Sequence, residues 1–141
     1  MTAAWLPWAL ASAGFAALTA IFAKVGVSGV NSDLATLIRT VVILAVCVAI
    51  VTTTGQWRPL SDLPNRTLVF LGLSGLATGA SWLCYFRALK LGDAAQVAPV
   101  DKLSVVLVAV FGVTLLGEHL SPQAWMGVIL TTVGVLLVAL G

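Results

Sequence analysis

Five long apolar stretches run along the chain, and short polar segments separate them. They cover residues 5–23, 34–53, 67–89, 94–116 and 122–140. Each has about 20 residues, the length that a helix needs to cross the hydrocarbon core of a bilayer. The runs are continuous, whereas β-barrel strands alternate with period two over about ten residues. Because lipid offers the backbone no hydrogen-bond partners, the pattern predicts an all-α integral membrane protein with five transmembrane helices.

Turn-forming residues fall between these stretches. Gly117 follows the fourth stretch, where a glycine in the left-handed conformation commonly ends a helix. Ser121 then suits the N-cap of the fifth helix and Pro122 its first position. The longest polar loop, residues 58–66, separates the second and third helices.

Composition supports a membrane protein. Hydrophobic residues make up 60% of the 141 residues and charged residues 9%, against about 25% charged in an average soluble domain. A net charge of +2 without any basic run argues against nucleic acid as a partner. Cys47 and Cys84 lie in apolar stretches and are expected to be buried small apolar residues. With a single histidine as well, we expect no metal site and no cofactor.

Four charged residues lie within the apolar stretches, where a charge costs about 2.5–3.5 kcal/mol. We call the membrane face of the N-terminus side A and the other face side B. At 1.5 Å per residue, Arg39 lies about 8 Å from side B and the adjacent Asp101 and Lys102 about 10–12 Å from it. Arg87 lies near the side-B end of the third helix. Lys102 is long enough to reach side B, but Asp101 is not, so we favour its pairing with Arg39 or Arg87.

The tryptophans agree with this arrangement. A five-span chain brings four of the five tryptophans to side A, as an interfacial aromatic belt. They are Trp5, Trp8, Trp57 and Trp125.

Pro99 and a group of aromatic residues lie near the embedded charges. Pro99 lacks an N–H and removes the hydrogen bond to the carbonyl of Ala95. A weakened turn beside charged residues is typical of the discontinuous helices of transporters, although many membrane prolines only kink a helix. Trp82, Tyr85 and Phe86 on the third helix either wall a substrate cavity or fill a core.

The basic residues give no clear orientation. Arg58 and Arg66 fall on side A, and Lys24 and Lys90 fall on side B. The orientation of a membrane protein follows from an excess of Lys and Arg on one face of the membrane. A chain with equal numbers on both faces can therefore insert in either orientation. Two copies in opposite orientations form an inverted repeat, so we predict a dual-topology antiparallel homodimer of about ten helices.

Several segments carry a family resemblance. Residues 87–92, 97–104 and 115–121 read RALKLG, VAPVDKLS and LLGEHLS, and residues 22–26, 31–36 and 38–40 precede them. Together they resemble an EamA-type domain of the drug/metabolite transporter superfamily, in its short single-domain form. The resemblance covers nearly the whole chain and implies one domain, residues 1–141. Most members are about twice as long, so a single domain implies homodimerisation.

The resemblance also implies transport, commonly export, of small metabolites such as amino acids by alternating access. It carries over no particular substrate. The Asp101-Lys102 pair is characteristic of the short members, and its role cannot be taken from the longer ones. Glu118 belongs to the Gly-Glu turn, where it is either a turn-ordering residue, which we favour, or a gating carboxylate.

The functional hypothesis is a secondary transporter in the inner (plasma) membrane that exports small polar metabolites, such as amino acids or organic anions. Arg39, Arg87 and Lys102 outweigh Asp101, which favours an anionic group on the substrate. The candidate residues are Arg39, Trp82, Tyr85, Arg87, Pro99, Asp101 and Lys102, with Glu118 at the turn.

Two alternatives remain. One is a non-transporting scaffold or accessory subunit whose ion pairs are structural. The other is a small multidrug-type cation exporter. Such a protein would be expected to have an acidic residue in its first helix, and the first helix of this chain has none. An enzyme is not expected, because the chain has no nucleophile–base pair or metal set.

Overall fold

The computed structural model describes residues 4–141, so the first three residues of the predicted domain lie outside it. The helices are α1 Leu6–Val27, α2 Ser32–Thr53, α3 Asn65–Leu91, α4 Ala94–Asp101, α5 Ser104–Leu115 and α6 Pro122–Leu140, with a short 3-10 helix at Leu60–Asp62. Across residues 4–141 there is no β-strand. With α4 and α5 taken as one span, five helical segments are long and apolar enough to cross a membrane, which confirms the predicted architecture.

The side-B ends of the first two helices extend beyond the predicted bounds. α1 continues through Val27, and α2 begins at Ser32. Asn31 is the N-cap of α2: its side-chain oxygen accepts hydrogen bonds from the backbone N–H groups of Asp33 (2.8 Å) and Leu34 (3.3 Å). Because this cap satisfies two backbone donors that lack helical partners, α2 can begin ahead of its apolar run.

The fourth span is divided, whereas the apolar pattern predicted one helix weakened at Pro99. α4 ends at Asp101 and α5 begins at Ser104. Between them the backbone tightens: Lys102 N–H donates to the Pro99 carbonyl (2.9 Å) and Leu103 N–H to that of Val100 (3.0 Å). These are bonds over three residues instead of four, as in a 3-10 turn. The break therefore lies just C-terminal to the proline.

The turn between α5 and α6 follows its sequence signals. Gly117 has φ +69°, the left-handed conformation predicted for it. The Ser121 hydroxyl oxygen accepts a hydrogen bond from the Ala124 N–H (3.2 Å), and Pro122 is the first residue of α6. The predictions for Gly117, Ser121 and Pro122 are confirmed.

The chain divides into two compact units. One comprises residues 23–90, and the other, here the terminal unit, comprises the chain up to Phe22 together with residues 91–141. In the terminal unit, α6 packs against α4 and α5. In the 23–90 unit, Val27 and Leu89 are completely buried, and the polar Ser32 and Thr36 are buried as well. Thr36 satisfies its hydroxyl by donating to the Ser32 carbonyl (2.9 Å).

Most of the apolar surface is exposed on the single chain. Trp8 is 79% and Leu76 74% exposed, in helices of membrane-spanning length. Cys47 and Cys84 are free but also exposed, so the expectation that they are buried was wrong. Exposed apolar side chains of this kind suit a surface that lipid or another helix covers.

Candidate functional site

Arg39 lies against aromatic rings in the 23–90 unit. Its guanidinium carbon is 3.7 Å from the centroid of the Trp82 ring and 5.5 Å from that of Phe86. Both distances are within the range of a cation–π interaction. Trp82 and Phe86 are four residues apart on α3 and therefore lie on the same face of that helix. An arginine eight residues after the N-cap of α2 is thus held by a two-ring surface.

The three aromatic residues differ in burial. Phe86 is 3% exposed and belongs to the core, while Trp82 and Tyr85 are partly exposed. The rings of Tyr85 and Phe86 meet edge to face, with centroids 6.5 Å apart. The sequence left open whether these rings wall a substrate cavity or fill the core, and the burial of Phe86 shows that it fills the core. Trp82 and Tyr85 remain candidates for contact with a ligand.

Arg87 pairs with an acid that the sequence analysis did not single out. Its Nη2 is 3.5 Å from Oδ1 of Asp33, and both side chains are more than half exposed. The Ser32 hydroxyl also donates to this carboxylate oxygen (3.3 Å). An exposed pair contributes about 0–1 kcal/mol, so it orders the ends of α2 and α3 more than it stabilises them. The signal that could have revealed Asp33 is its position in the first turn of α2, at the membrane face where α3 ends.

Asp101 and Lys102 form an ion pair at the helix break of the terminal unit. Lys102 Nζ is 3.1 Å from Asp101 Oδ2, and the Asp101 side chain is 36% exposed. Adjacent residues of a regular helix do not face each other. Lys102 follows the last residue of α4, and this irregular backbone accompanies the contact between the two side chains. Pro99, whose carbonyl accepts the N–H of Lys102, is partly buried.

The predicted site residues fall in both units. Arg39, Trp82, Tyr85 and Arg87 belong to the 23–90 unit. Pro99, Asp101, Lys102 and Glu118 belong to the terminal unit. The expected pairing of Asp101 with Arg39 or Arg87 would join the two units and stays a prediction.

Glu118 is folded back on the end of α5. Its N–H donates to the Gly112 carbonyl (3.0 Å). A Cβ at position 112 would lie 2.6 Å from Glu118 Oε2, so the carboxylate occupies space that only glycine leaves open. This geometry supports a turn-ordering role. Within residues 4–141, no group of three or more His, Cys, Asp or Glu could hold a metal ion.

Comparison with known proteins gives the general function. The model of the EamA-like transporter family matches residues 3–140. The chain belongs to the EamA-like transporter family. An EamA relative from a Sinorhizobium species, named an uncharacterized transporter in cobO 3'region, is 66% identical over 139 residues and covers 99% of both chains.

Two more distant relatives match part of the chain. An uncharacterized transporter of Pseudomonas aeruginosa is 32% identical over 81 residues, which are 57% of this chain and 27% of that one. A probable 4-amino-4-deoxy-L-arabinose-phosphoundecaprenol flippase subunit, ArnE, of Hamiltonella defensa is 27% identical over 88 residues, 62% of this chain and 78% of that one. No solved structure matches the chain.

Family and architecture together define the protein in general terms. It is a multi-pass protein of a bacterial inner membrane, with five helices of membrane-spanning length within residues 4–141. Its relatives are named for transport and not for catalysis, and an EamA transporter acts on small molecules within the bilayer.

Proposed function

We propose that this EamA protein is a secondary transporter that exports small polar metabolites carrying a carboxylate or another anionic group, such as amino acids or organic anions. The observation that carries the proposal is the Arg39 guanidinium held over Trp82 within the α2 span. Arginine binds carboxylates through two parallel N–H···O bonds, which makes it well suited to an anionic substrate.

The stacking geometry is compatible with substrate binding. A ring contact uses the face of the guanidinium, whereas its five N–H bonds point outward in the plane. Trp82 can therefore fix the plane of Arg39 while the donor edge meets a carboxylate. Because Trp82 and Tyr85 are partly exposed, they can also contact the remainder of the substrate.

The Asp101–Lys102 pair supplies the second part of the proposed site. It lies at the break between α4 and α5, and discontinuous helices of this kind form binding sites in transporters. Asp101 balances Lys102 at rest or exchanges a proton during the cycle. Pro99 begins the irregular turn at these charges, Arg87 is a further candidate for contact with the substrate, and Glu118 orders the turn after α5.

We further propose that residues 1–141 act as one domain and half of a transport unit. Two copies in opposite orientations would make an antiparallel homodimer of about ten helices that works by alternating access. The balanced cations Arg58 and Arg66 on side A and Lys24 and Lys90 on side B support this assembly. The partners are then the substrate, the lipid bilayer and a second copy.

Transport by reconstituted protein tests the proposal. Proteoliposomes would be loaded with a panel of radiolabelled amino acids and organic acids, and efflux measured for the wild type, Arg39→Met, Asp101→Asn and Lys102→Met. A hydrogen bond to a charged group contributes about 1.5–3 kcal/mol, so Arg39→Met should slow efflux by at least about tenfold. Arg66→Lys is the control, because Arg66 also lies over a ring, 5.8 Å from Phe70, but at side A, and lysine keeps the charge that orients the chain. Failure to transport any of the panel, or equal rates for all variants, would overturn the proposal.

An accessory or scaffold role is the second candidate. Its support is that the ion pairs Arg87–Asp33 and Asp101–Lys102 each lie within one unit, as structural pairs would. One relative is also named a flippase subunit. This role predicts no transport by the chain alone and activity only with another membrane protein. A multidrug-type cation exporter has less support, because α1 contains no acid.

A further inference from the structure

One face of α2 lies along α3 between the side-B membrane face and Arg39. Asp33, Thr36 and Arg39 follow one another at intervals of three residues, so they share this face of α2. The face is directed toward α3, because Asp33 contacts Arg87 and Arg39 contacts Trp82. At 1.5 Å per residue, Asp33 lies about 9 Å closer to side B than Arg39. An anion that approaches Arg39 from side B along this face therefore meets the Asp33–Arg87 pair first.

Buried side chains fill the interval between the ion pair and Arg39. Thr36 on α2 and both Phe86 and Leu89 on α3 are buried. The Thr36 hydroxyl donates to the Ser32 carbonyl, so its burial leaves no unmet donor. The side-B approach to Arg39 along this face is consequently closed.

Two polar contacts hold the start of α2 and its preceding loop to the end of α3. One is the Asp33–Arg87 pair (3.5 Å), and the other is the hydrogen bond that Lys90 Nζ donates to the Val30 carbonyl (2.8 Å). Both contacts are exposed, and an exposed ion pair contributes little to stability. These contacts can therefore break without unfolding of the unit.

The end of α3 has another attachment, to α1. Lys24 Nζ on α1 donates to the Leu89 carbonyl (2.8 Å), which joins α1 and α3 at side B. The loop between α1 and α2 comprises residues 28–31, and Gly29 within it has φ +79°, a conformation that glycine adopts without strain. A loop of this kind is suited to act as a hinge. We expect the start of α2 to move about this loop while α1 and α3 remain together.

We propose that the start of α2 is a side-B gate for Arg39, with Asp33 and Arg87 as the gate pair. The gate rests on the proposed function, in which Arg39 binds the anionic group of the substrate. While the gate pair is joined, the buried layer is closed; when it separates, Thr36 and then Arg39 become accessible from side B. The released Arg87 can bind a substrate carboxylate in place of that of Asp33. An anionic substrate thereby favours the open gate.

Thiol labelling of position 36 measures this opening. Thr36→Cys would be made in the full chain with Cys47→Ser and Cys84→Ser, placed in nanodiscs and reacted with N-ethylmaleimide, which is uncharged. Asp33→Asn and Arg87→Gln should each label about two- to fivefold faster, the range that loss of an exposed ion pair allows, and Arg87→Lys should label at the parent rate. The two neutral variants change the charge near the thiol in opposite directions. A faster rate in both therefore reports opening and not a change in thiol ionisation.

Two controls separate gating from general loosening of the protein. Asp62→Asn removes the other acid of residues 23–90, in the 3-10 helix at side A, and should not change the rate. Val135→Cys, in a chain with Thr36 intact, places a buried thiol on α6 whose labelling should not respond to the gate variants. Asp33→Asn combined with Arg87→Gln should label no faster than either alone, because the same contact is lost in all three. Equal rates at position 36 in all variants, or a parallel rise at position 135, would overturn the gate.

The labelling needs no transport and therefore separates the gate from the proposed function. Faster labelling in both gate variants supports the opening of α2 even if no amino acid or organic acid of the panel is transported, which would overturn the proposed function alone. Transport of a member of the panel with unchanged labelling would support the proposed function and overturn the gate.

Discussion

At the scale of single residues, the environment of each embedded cation differs. Arg39 lies over the rings of Trp82 and Phe86, whereas Arg87 is an exposed partner of Asp33 and Lys102 bonds to the adjacent Asp101. A guanidinium is weakly hydrated and planar, so an aromatic face is a suitable contact for it inside a membrane span. An ammonium is compact and strongly hydrated, and it bonds to oxygen atoms.

The Arg39–Trp82 contact should contribute measurably to stability. A double-mutant cycle with Arg39→Met and Trp82→Leu should give a coupling energy of about 1–2 kcal/mol, since both residues are partly buried. The free energy of unfolding in bicelles is the measurement. Arg66→Met with Phe70→Leu forms a matched cycle at exposed residues, where about 0.5–1 kcal/mol is expected. A coupling near zero for Arg39 and Trp82 would show that the stacking is incidental.

Gly112 offers a second test at this scale. In Gly112→Ala the new Cβ would meet only the carboxylate end of Glu118, which is a flexible side chain that can swing away. Alanine also gains about 0.5–1 kcal/mol over glycine inside a helix. The expected change in unfolding free energy is therefore within about 1 kcal/mol. A loss above about 2 kcal/mol would mean instead that the turn holds Glu118 rigidly.

At the scale of helices, the break between α4 and α5 is the feature that departs most from a regular span. The backbone N–H groups of Lys102 and Leu103 donate to the carbonyls three residues earlier, those of Pro99 and Val100, instead of four residues earlier as in an α-helix. Proline supplies no N–H for the carbonyl four residues earlier, so the turn around it has lost one helical bond. The irregular backbone that follows carries the Asp101–Lys102 pair, the second part of the proposed site.

Replacement of Pro99 should restore part of the regular helix. In Pro99→Ala the new N–H can donate to the Ala95 carbonyl, and we expect slower amide hydrogen exchange at Lys102 and Leu103. Pro122→Ala is the control in the same unit: Pro122 is the first residue of α6, where the N–H has no helical partner, and exchange at the break should not change. If amide exchange at Lys102 and Leu103 is unchanged in Pro99→Ala, the helix break is caused by the charged residues and not by the proline.

At the scale of the whole molecule, the distribution of charge matters most. The 23–90 unit has a net charge of +4 and the terminal unit −2. Orientation in the membrane depends instead on how the basic residues divide between the two faces, and here Arg58 and Arg66 oppose Lys24 and Lys90. A small change in the side-A loop should therefore decide the orientation.

Opposite changes to this loop should give opposite orientations. Arg58→Gln with Arg66→Gln removes cations from side A, and Gln56→Lys with Ser61→Lys adds them. Cysteine labelling of the loop in intact cells measures the orientation, and the wild type should show both. If a dual-topology homodimer is the transporting form, each pair alone should be inactive and their co-expression active. Transport by either pair alone would contradict the homodimer.

The sequence predicted the spans well because each depends on local properties. About 20 continuous apolar residues require a helix in lipid, and Ser121-Pro122 and Gly117 act within one turn of their own positions. The same local signals placed Arg39, Arg87, Asp101 and Lys102 in the spans. The early start of α2 was missed because capping by Asn31 counts for more there than hydropathy. The extra turn of α1 contains Lys24 and lies beyond the continuous apolar run.

The sequence by itself determined the membrane class, the number of spans, the candidate charges and the family resemblance. Only the tertiary structure decided which side chains meet: Arg39 with Trp82, Arg87 with Asp33, and Lys24 and Lys90 with carbonyls at the far end of another helix or loop. Hydropathy fixes the depth of a residue along the membrane normal. Contact between helices depends on their rotation and spacing, which one-dimensional periodicity in a uniformly apolar span does not specify.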